Sequence, residues 1–125
     1  MITKISTTKA PAAIGPYSQA ISTGTMLYTS GQLGINPASG ELEGDNIKTQ
    51  AEQVMKNLGA VLEEGGTNFN NIVKTTCFLA DMADFAAFNE VYSKYITSAP
   101  ARSCVAVKTL PKNALVEVEA VAVID

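Results

Sequence analysis

The segment LVEVEAVAVI, Leu115–Ile124, is the part of the sequence that decides the fold. Its even-numbered positions are all apolar, and its odd-numbered positions are apolar as well apart from Glu117 and Glu119. Successive residues of a strand point to opposite faces of a sheet. A strand that is apolar on both faces is usually buried on both, so this segment predicts a sheet strand with a cover on each side.

Two helices are predicted as the cover on one side. The clearer one starts at Ile47, because apolar residues recur from there at steps of four and three as far as Leu62. Asp45 or Asn46 can cap its start, and the glycine pair 65–66 can stop it. Asp81 can cap the second helix, which ends before Pro100. Its aromatic residues lie at helical spacing: Phe85, Phe88, Tyr92 and Tyr95.

The remaining segments complete one α+β domain over residues 1–125. Proline and glycine make residues 10–17 an irregular arm, and four glycines make residues 31–45 a loop. The prediction is a mixed sheet of about six strands with both helices on one face. Since so short a chain has no further element for the other face, we expect a second subunit there and hence a homo-oligomer. The other predicted strands are residues 2–5, 19–22, 26–30, 71–80 and 102–107.

Composition excludes several classes of protein. The 125 residues are 46% hydrophobic, which supports one folded core. The formal net charge of −3 and the scattered lysines disfavour nucleic acid as a partner. No apolar run approaches the length of a membrane span or of a signal-peptide core, so a cytoplasmic protein without a membrane partner is expected.

Histidine is absent, which excludes a Ser-His-Asp triad and zinc sites built on histidine. The two cysteines, Cys77 and Cys104, do not have the spacing of a metal site, so no metal is predicted. A disulfide between them is possible from the sequence, but two thiols in a reducing compartment are favoured.

Arg102 is the only arginine, and it lies in an otherwise small and apolar strand. Its planar fork can bind a carboxylate through two hydrogen bonds. The sequence leaves two roles equally open, an ion pair with an internal acid and a binding site for an anionic ligand.

Glu117 and Glu119 share one face of the last strand. Solvent exposure is the usual fate of such carboxylates, but burial would raise the pKa of one of them toward the range useful for proton transfer. Cys104 shares a strand face with Arg102, whose charge could activate the thiol, although a small core residue is the commoner role. Tyr17 follows Gly-Pro in the arm, from which its hydroxyl could reach a cleft.

Taken together, separated motifs in this order resemble the Rid family, also called YjgF. The resemblance runs over essentially the whole chain. The motifs are IGPYSQA at residues 14–20, SGQ at 30–32, PARSC at 100–104, and LP at 110–111 followed by VEVEA at 116–120.

The resemblance implies a fold similar to a small chorismate mutase. Three subunits would pack their sheets into a central barrel, with a cleft between neighbours. It also implies hydrolysis of reactive enamines and imines, such as 2-aminoacrylate, to 2-keto acids and ammonia without a cofactor.

The resemblance further implies roles for individual residues. Arg102 would bind the substrate carboxylate, and Glu117 would position or activate the attacking water. Cys104 would contribute position and backbone hydrogen bonding rather than thiol attack. The remaining members of the implied site are Tyr17 and Gly31 in the cleft, Ser103 in the binding strand, and Asn89 near the subunit boundary. The short connection at residues 96–99 could reshape the cleft rim.

A second function stays open, that of a non-catalytic trimer that binds 2-keto acids through Arg102. The carboxylate of Glu117 favours catalysis, because a pure carboxylate binder has no evident use for a second, repelling carboxylate.

Overall fold

The computed structural model describes all 125 residues, and its first helix, α1, spans Ile47–Glu64. Asn46 is the residue that caps it, since its side chain accepts a hydrogen bond from the Thr49 amide at 3.0 Å. Gly66, at φ +83°, takes the left-handed conformation that ends the helix. The predicted apolar stripe is buried: Ala51, Val54, Leu58, Val61 and Leu62 are all inaccessible to solvent.

Helix α2 spans Phe85–Tyr95 and lies beside α1. The prediction that Asp81 caps this helix is wrong by one turn. Asp81 caps a short 3-10 turn, Met82–Asp84, by accepting a hydrogen bond from the Ala83 amide at 2.8 Å. The turn then leads directly into α2.

One mixed sheet of seven strands forms the other layer, where about six were predicted. The strands are β1 Thr3–Ile5, β2 Ala20–Ser22, β3 Met26–Thr29, β4 Gln32–Leu33, β5 Ile72–Leu79, β6 Ala101–Ala106 and β7 Val116–Val123. The strand order is β1-β2-β3-β7-β5-β6, and β4 also pairs with β7. Only β5 and β6 are parallel, with α2 as their connection, and β6 lies at the edge of the sheet.

The segment Leu115–Ile124 therefore contains β7, the strand in the middle of the sheet. Its residues Val116, Val118, Ala120 and Ala122 are buried in the core beneath the helices. The opposite face has no cover within the chain. Apolar side chains remain accessible there, with relative exposures of 47% at Tyr28, 46% at Val105 and 37% at Val123. This uncovered apolar face supports the expectation of a partner subunit. The number of subunits in the oligomer stays a prediction.

Gln19 holds the irregular arm against the body of the domain. Its side chain is 97% buried, as its relative exposure of 3% shows. The amide oxygen accepts a hydrogen bond from the Thr7 amide at 2.6 Å, and the amide nitrogen donates to the carbonyls of Thr7 at 3.1 Å and Pro11 at 2.7 Å. Because proline and glycine deny the arm a ladder of its own, this side chain replaces backbone pairing.

Replacing Gln19 by leucine should lower the free energy of unfolding by roughly 2 to 3 kcal/mol, because backbone groups of the arm lose their partners. Chemical denaturation at a fixed protein concentration measures this effect. Gln53→Leu, which removes a single hydrogen bond to Asn57, is the matched control and should cost less. Equal losses in the two variants would show that Gln19 does not hold the arm.

Neither helix combines the length and the hydropathy that crossing a bilayer requires.

Candidate active site in two halves

Arg102 lies on the edge strand β6, and its side chain turns toward α2 on the helix-covered face. One guanidinium nitrogen, Nη1, donates to Asn89 Oδ1 at 2.8 Å. The guanidinium carbon is 4.8 Å from the centre of the Tyr92 ring and 5.5 Å from that of Phe85. Both distances are within the range of a cation–π interaction. The hydrogen bond and the two ring contacts of the guanidinium therefore all come from α2.

No carboxylate of the chain pairs with Arg102. The two ion pairs of the structure join Lys48 to Glu90 and Lys94 to Glu52. The internal ion pair that the sequence left open is therefore wrong for this chain. A half-buried guanidinium without a counter-ion remains able to bind an anion.

Glu117 lies on the opposite face of the sheet, in the central strand β7, and is half-buried. Burial raises the pKa of its carboxyl group, and the nearby charge of Glu119 raises it further. The sequence offered an exposed carboxylate and a buried one as alternatives for this position. Partial burial and the raised pKa support the second alternative, a carboxyl group placed for proton transfer.

Gly31 packs directly against this carboxyl group. A β-carbon at position 31 would lie 2.3 Å from Glu117 Oε2 and 2.7 Å from its carboxyl carbon. Only glycine leaves Glu117 in this position.

The substitution Gly31→Ala should therefore displace the Glu117 side chain, and we expect turnover to fall about 10-fold or more. Folding should be little affected, because the obstacle is a movable side chain. Gly34→Ala provides the contrast, since its β-carbon would meet the Gln50 carbonyl of α1 at 2.6 Å and should destabilise the domain. A Gly31→Ala protein with full turnover would contradict the role given to this contact.

Tyr17 and Gly31 line one hollow of about 400 Å³ between the arm, the loop after β3 and the turn at residues 111–113. Tyr17 is 54% exposed, as expected for a side chain at the mouth of a cleft. The other walls are largely apolar, and they include Ile14, Leu33 and Pro111.

Cys104 shares the helix-covered face with Arg102, as predicted, and lies opposite Cys77 on the neighbouring strand. Both thiols are free. Burial raises the pKa of Cys104, although the Arg102 charge opposes this, and burial raises the pKa of Cys77 to about 12. A thiol that stays protonated is a poor nucleophile, so thiol attack is disfavoured. Ser103 points to the other face, where it pairs with Thr76.

The predicted site residues thus form two groups in one chain. Arg102 pairs in register with Thr75, which faces the helices, whereas Glu117 pairs with Phe78, which faces away from them. The structure brings Arg102, Asn89 and Cys104 together at the sheet edge. It separately places Glu117 against Gly31, and Gly31 lines a hollow together with Tyr17. A single chain does not bring the two groups together.

The two aromatic residues that contact the Arg102 guanidinium were not predicted as site residues. Phe85 and Tyr92 have the helical spacing of core residues, and Tyr92 is indeed buried. Only their contact with Arg102 on β6 distinguishes them from the other aromatic residues of α2.

Comparisons with known proteins cover almost all of the chain. The profile of the family described as Endoribonuclease L-PSP matches residues 7–124. A mouse protein named 2-iminobutanoate/2-iminopropanoate deaminase is 52% identical over 120 residues, which are 95% of this chain and 89% of the mouse protein.

Solved structures agree over the same range. RidA from the Antarctic bacterium Psychrobacter sp. PAMC 21119 has a TM-score of 0.93 and 45% identity, and the match covers 98% of this chain and 99% of the Psychrobacter chain. TdcF from E. coli, solved with bound serine, has a TM-score of 0.94 and 39% identity, with 98% of this chain and 99% of TdcF covered. The predicted α+β fold class is confirmed.

Proposed function

Because this chain belongs to the endoribonuclease L-PSP family, the Rid/YjgF family that its motifs resemble, we propose that it hydrolyses small enamines and imines of 2-amino acids. The products are 2-keto acids and ammonia, and no cofactor takes part. The observation that carries this proposal is Arg102, a half-buried guanidinium with no carboxylate partner in its own chain. Close relatives named as deaminases support the choice of reaction.

The protein has to hold the substrate carboxylate, present a water molecule and carry a proton. Arg102 binds its carboxylate through two parallel hydrogen bonds, and Cys104 helps to place the C=N group beside it. An enamine such as 2-aminoacrylate first gains a proton at its methylene carbon and loses one from its nitrogen, which gives the imine. Because an imine carbon is already electrophilic, positioning supplies much of the acceleration.

Glu117 is the proton carrier of this reaction. Its carboxylate accepts a proton from water as the oxygen bonds to the imine carbon, and the Glu117 carboxyl group then donates that proton to the nitrogen. In the resulting carbinolamine, Glu117 takes the hydroxyl proton as the C=O bond forms and returns it to the nitrogen, which leaves as ammonia. Burial raises the pKa of Glu117, which makes its carboxylate a stronger base toward the attacking water.

We propose a homotrimer whose sites lie between subunits. Support comes from the uncovered apolar face of the sheet and from the separation of the two residue groups. Arg102, Asn89 and Cys104 of one copy then meet Glu117, Gly31 and Tyr17 of the next. Each copy contributes to two sites, and no copy completes one alone.

Free thiols at Cys77 and Cys104 fit a cytoplasmic location, which we include in the proposal. The family description names an endoribonuclease. RNA is not proposed as a partner here, because acidic side chains outnumber basic ones by twelve to nine.

A second candidate is a non-catalytic trimer that binds 2-keto or 2-amino acids through Arg102. The observation that favours it is the solved TdcF relative, which holds serine, a carboxylate without a C=N bond. Binding alone gives Glu117 no task, and for this reason we place it second.

Release of ammonia and 2-keto acid from enzymatically generated 2-aminoacrylate tests the proposal. The protein should accelerate release above the spontaneous rate in proportion to its concentration. A rate equal to the spontaneous one, together with calorimetric binding of 2-keto acids, would replace the enzyme by the binding protein.

A further inference from the structure

Three side chains of α2 surround the guanidinium of Arg102. Phe85, Asn89 and Tyr92 are spaced by four and three residues, so they lie along one face of the helix. Asn89 accepts one of the five N–H groups of the guanidinium. The two rings contact it through their π faces and use none of its hydrogen bonds.

The Tyr92 ring is the closer of the two to the guanidinium, and a hydrogen bond to Thr75 holds it in place. Its hydroxyl group and the Thr75 hydroxyl form a buried hydrogen bond of 2.7 Å. Thr75 is also the residue that pairs with Arg102 across β5 and β6. The ring is therefore attached to the same strand pair that carries the arginine, and its relative exposure is only 7%.

An aromatic support suits an arginine that has to bind a ligand. A carboxylate support would fix the guanidinium as well, but it would also neutralise the charge that the ligand needs. Burial raises the pKa of Tyr92, so the phenol stays neutral and does not become a competing anion. Fixing a long side chain before the ligand arrives lowers the entropy cost of binding.

We propose that Tyr92, held by Thr75, is a positioning residue that orients Arg102 for the carboxylate of the ligand. This proposal rests on the proposed function, in which Arg102 binds the substrate. Tyr92 acts through the arginine and does not touch the reacting atoms.

Enzyme kinetics test the proposal with two variants. Tyr92→Leu should raise KM about 10-fold with a smaller change in kcat, because the carboxylate binds to a less ordered arginine. Tyr92→Phe keeps the ring and should recover most of the loss. In an Arg102→Ala background, Tyr92→Leu should change kcat/KM less than twofold, since the group it orients is gone.

Tyr95→Leu is the matched control for damage to the helix. Tyr95 is on α2, contacts Phe69 and hydrogen-bonds to Glu52, and has no contact with Arg102 described in the structure. We expect it to affect stability but not KM. If Tyr95→Leu and Tyr92→Leu raise KM equally, or if Tyr92→Leu acts undiminished without Arg102, the proposal is overturned.

A spectroscopic measurement separates this proposal from the proposed function. Because Arg102 is the only arginine, a labelled sample gives a single arginine Nε–H signal in NMR. The order parameter of that signal should fall in Tyr92→Leu and fall less in Tyr92→Phe, which keeps the ring but loses the hydrogen bond to Thr75. It should stay near the wild-type value in Tyr95→Leu. An unchanged order parameter in Tyr92→Leu would refute the positioning role, whether or not the protein proves to be a deaminase.

Discussion

Replacing Arg102 by alanine is expected to lower kcat/KM for 2-aminoacrylate by roughly 10²- to 10⁴-fold. The estimate follows from two hydrogen bonds to a charged carboxylate at about 1.5 to 3 kcal/mol each. The wild-type side chain has no carboxylate partner in the chain, so the variant leaves no internal charge unpaired. Catalysed ammonia release should fall by this factor, and calorimetric binding of a 2-keto acid should weaken with it.

Arg102→Lys refines this prediction. It keeps the charge but loses the planar fork, so activity should lie between those of the wild type and the alanine variant. Lys108→Ala serves as the control, because it removes an exposed cation just beyond the same strand. If Arg102→Ala and Lys108→Ala kept equal and full activity, the carboxylate-binding role of Arg102 would be wrong.

The second large effect is expected for Glu117→Gln. Loss of a general base typically costs about 10²- to 10⁴-fold in rate, and we expect that loss in kcat. Binding of a 2-keto acid should be kept or improved, because the variant removes a negative charge near the ligand. If the protein only binds 2-keto acids, the wild type and Glu117→Gln should bind them with the same affinity, and neither should show turnover.

The pH dependence of kcat/KM is an independent test of the role of Glu117 as a base. Burial raises the pKa of this group, and the base must be ionised to accept a proton from water. Wild-type kcat/KM should therefore fall as the pH decreases through a value above that of an ordinary glutamate. Glu117→Gln should lack this acidic limb, whereas the neighbouring Glu119→Gln should retain it with a slightly lower midpoint. An unchanged limb in Glu117→Gln would assign the titration to another group.

The regular elements of the fold could be predicted because local chemistry determines them. Asn46 and the apolar stripe from Ile47 define α1 without reference to the rest of the chain. Strand β4 could not be found in this way. It has only two residues, Gln32 and Leu33, and it exists because β7 offers them backbone partners.

The members of the candidate site could be selected by residue type, but their arrangement could not be predicted. Arg102 stands out because it is the only arginine, and Glu117 because it interrupts an apolar strand. That the two residues lie on opposite faces depends on the register of β5 with its two neighbours, which no local pattern encodes. Tyr92 has the same spacing as a core residue and becomes a site residue only through the strand packed beneath it.

Mixed oligomers of two inactive variants test the central claim most directly. Arg102→Ala and Glu117→Gln are folded together, by co-expression or joint refolding, and assayed for ammonia release. If each site takes Arg102 from one copy and Glu117 from the next, random mixing into trimers should restore about a quarter of the wild-type activity. Separately folded variants combined just before the assay are the control and should stay inactive. Activity no higher in the mixed oligomers than in this control would contradict a deaminase site shared between subunits.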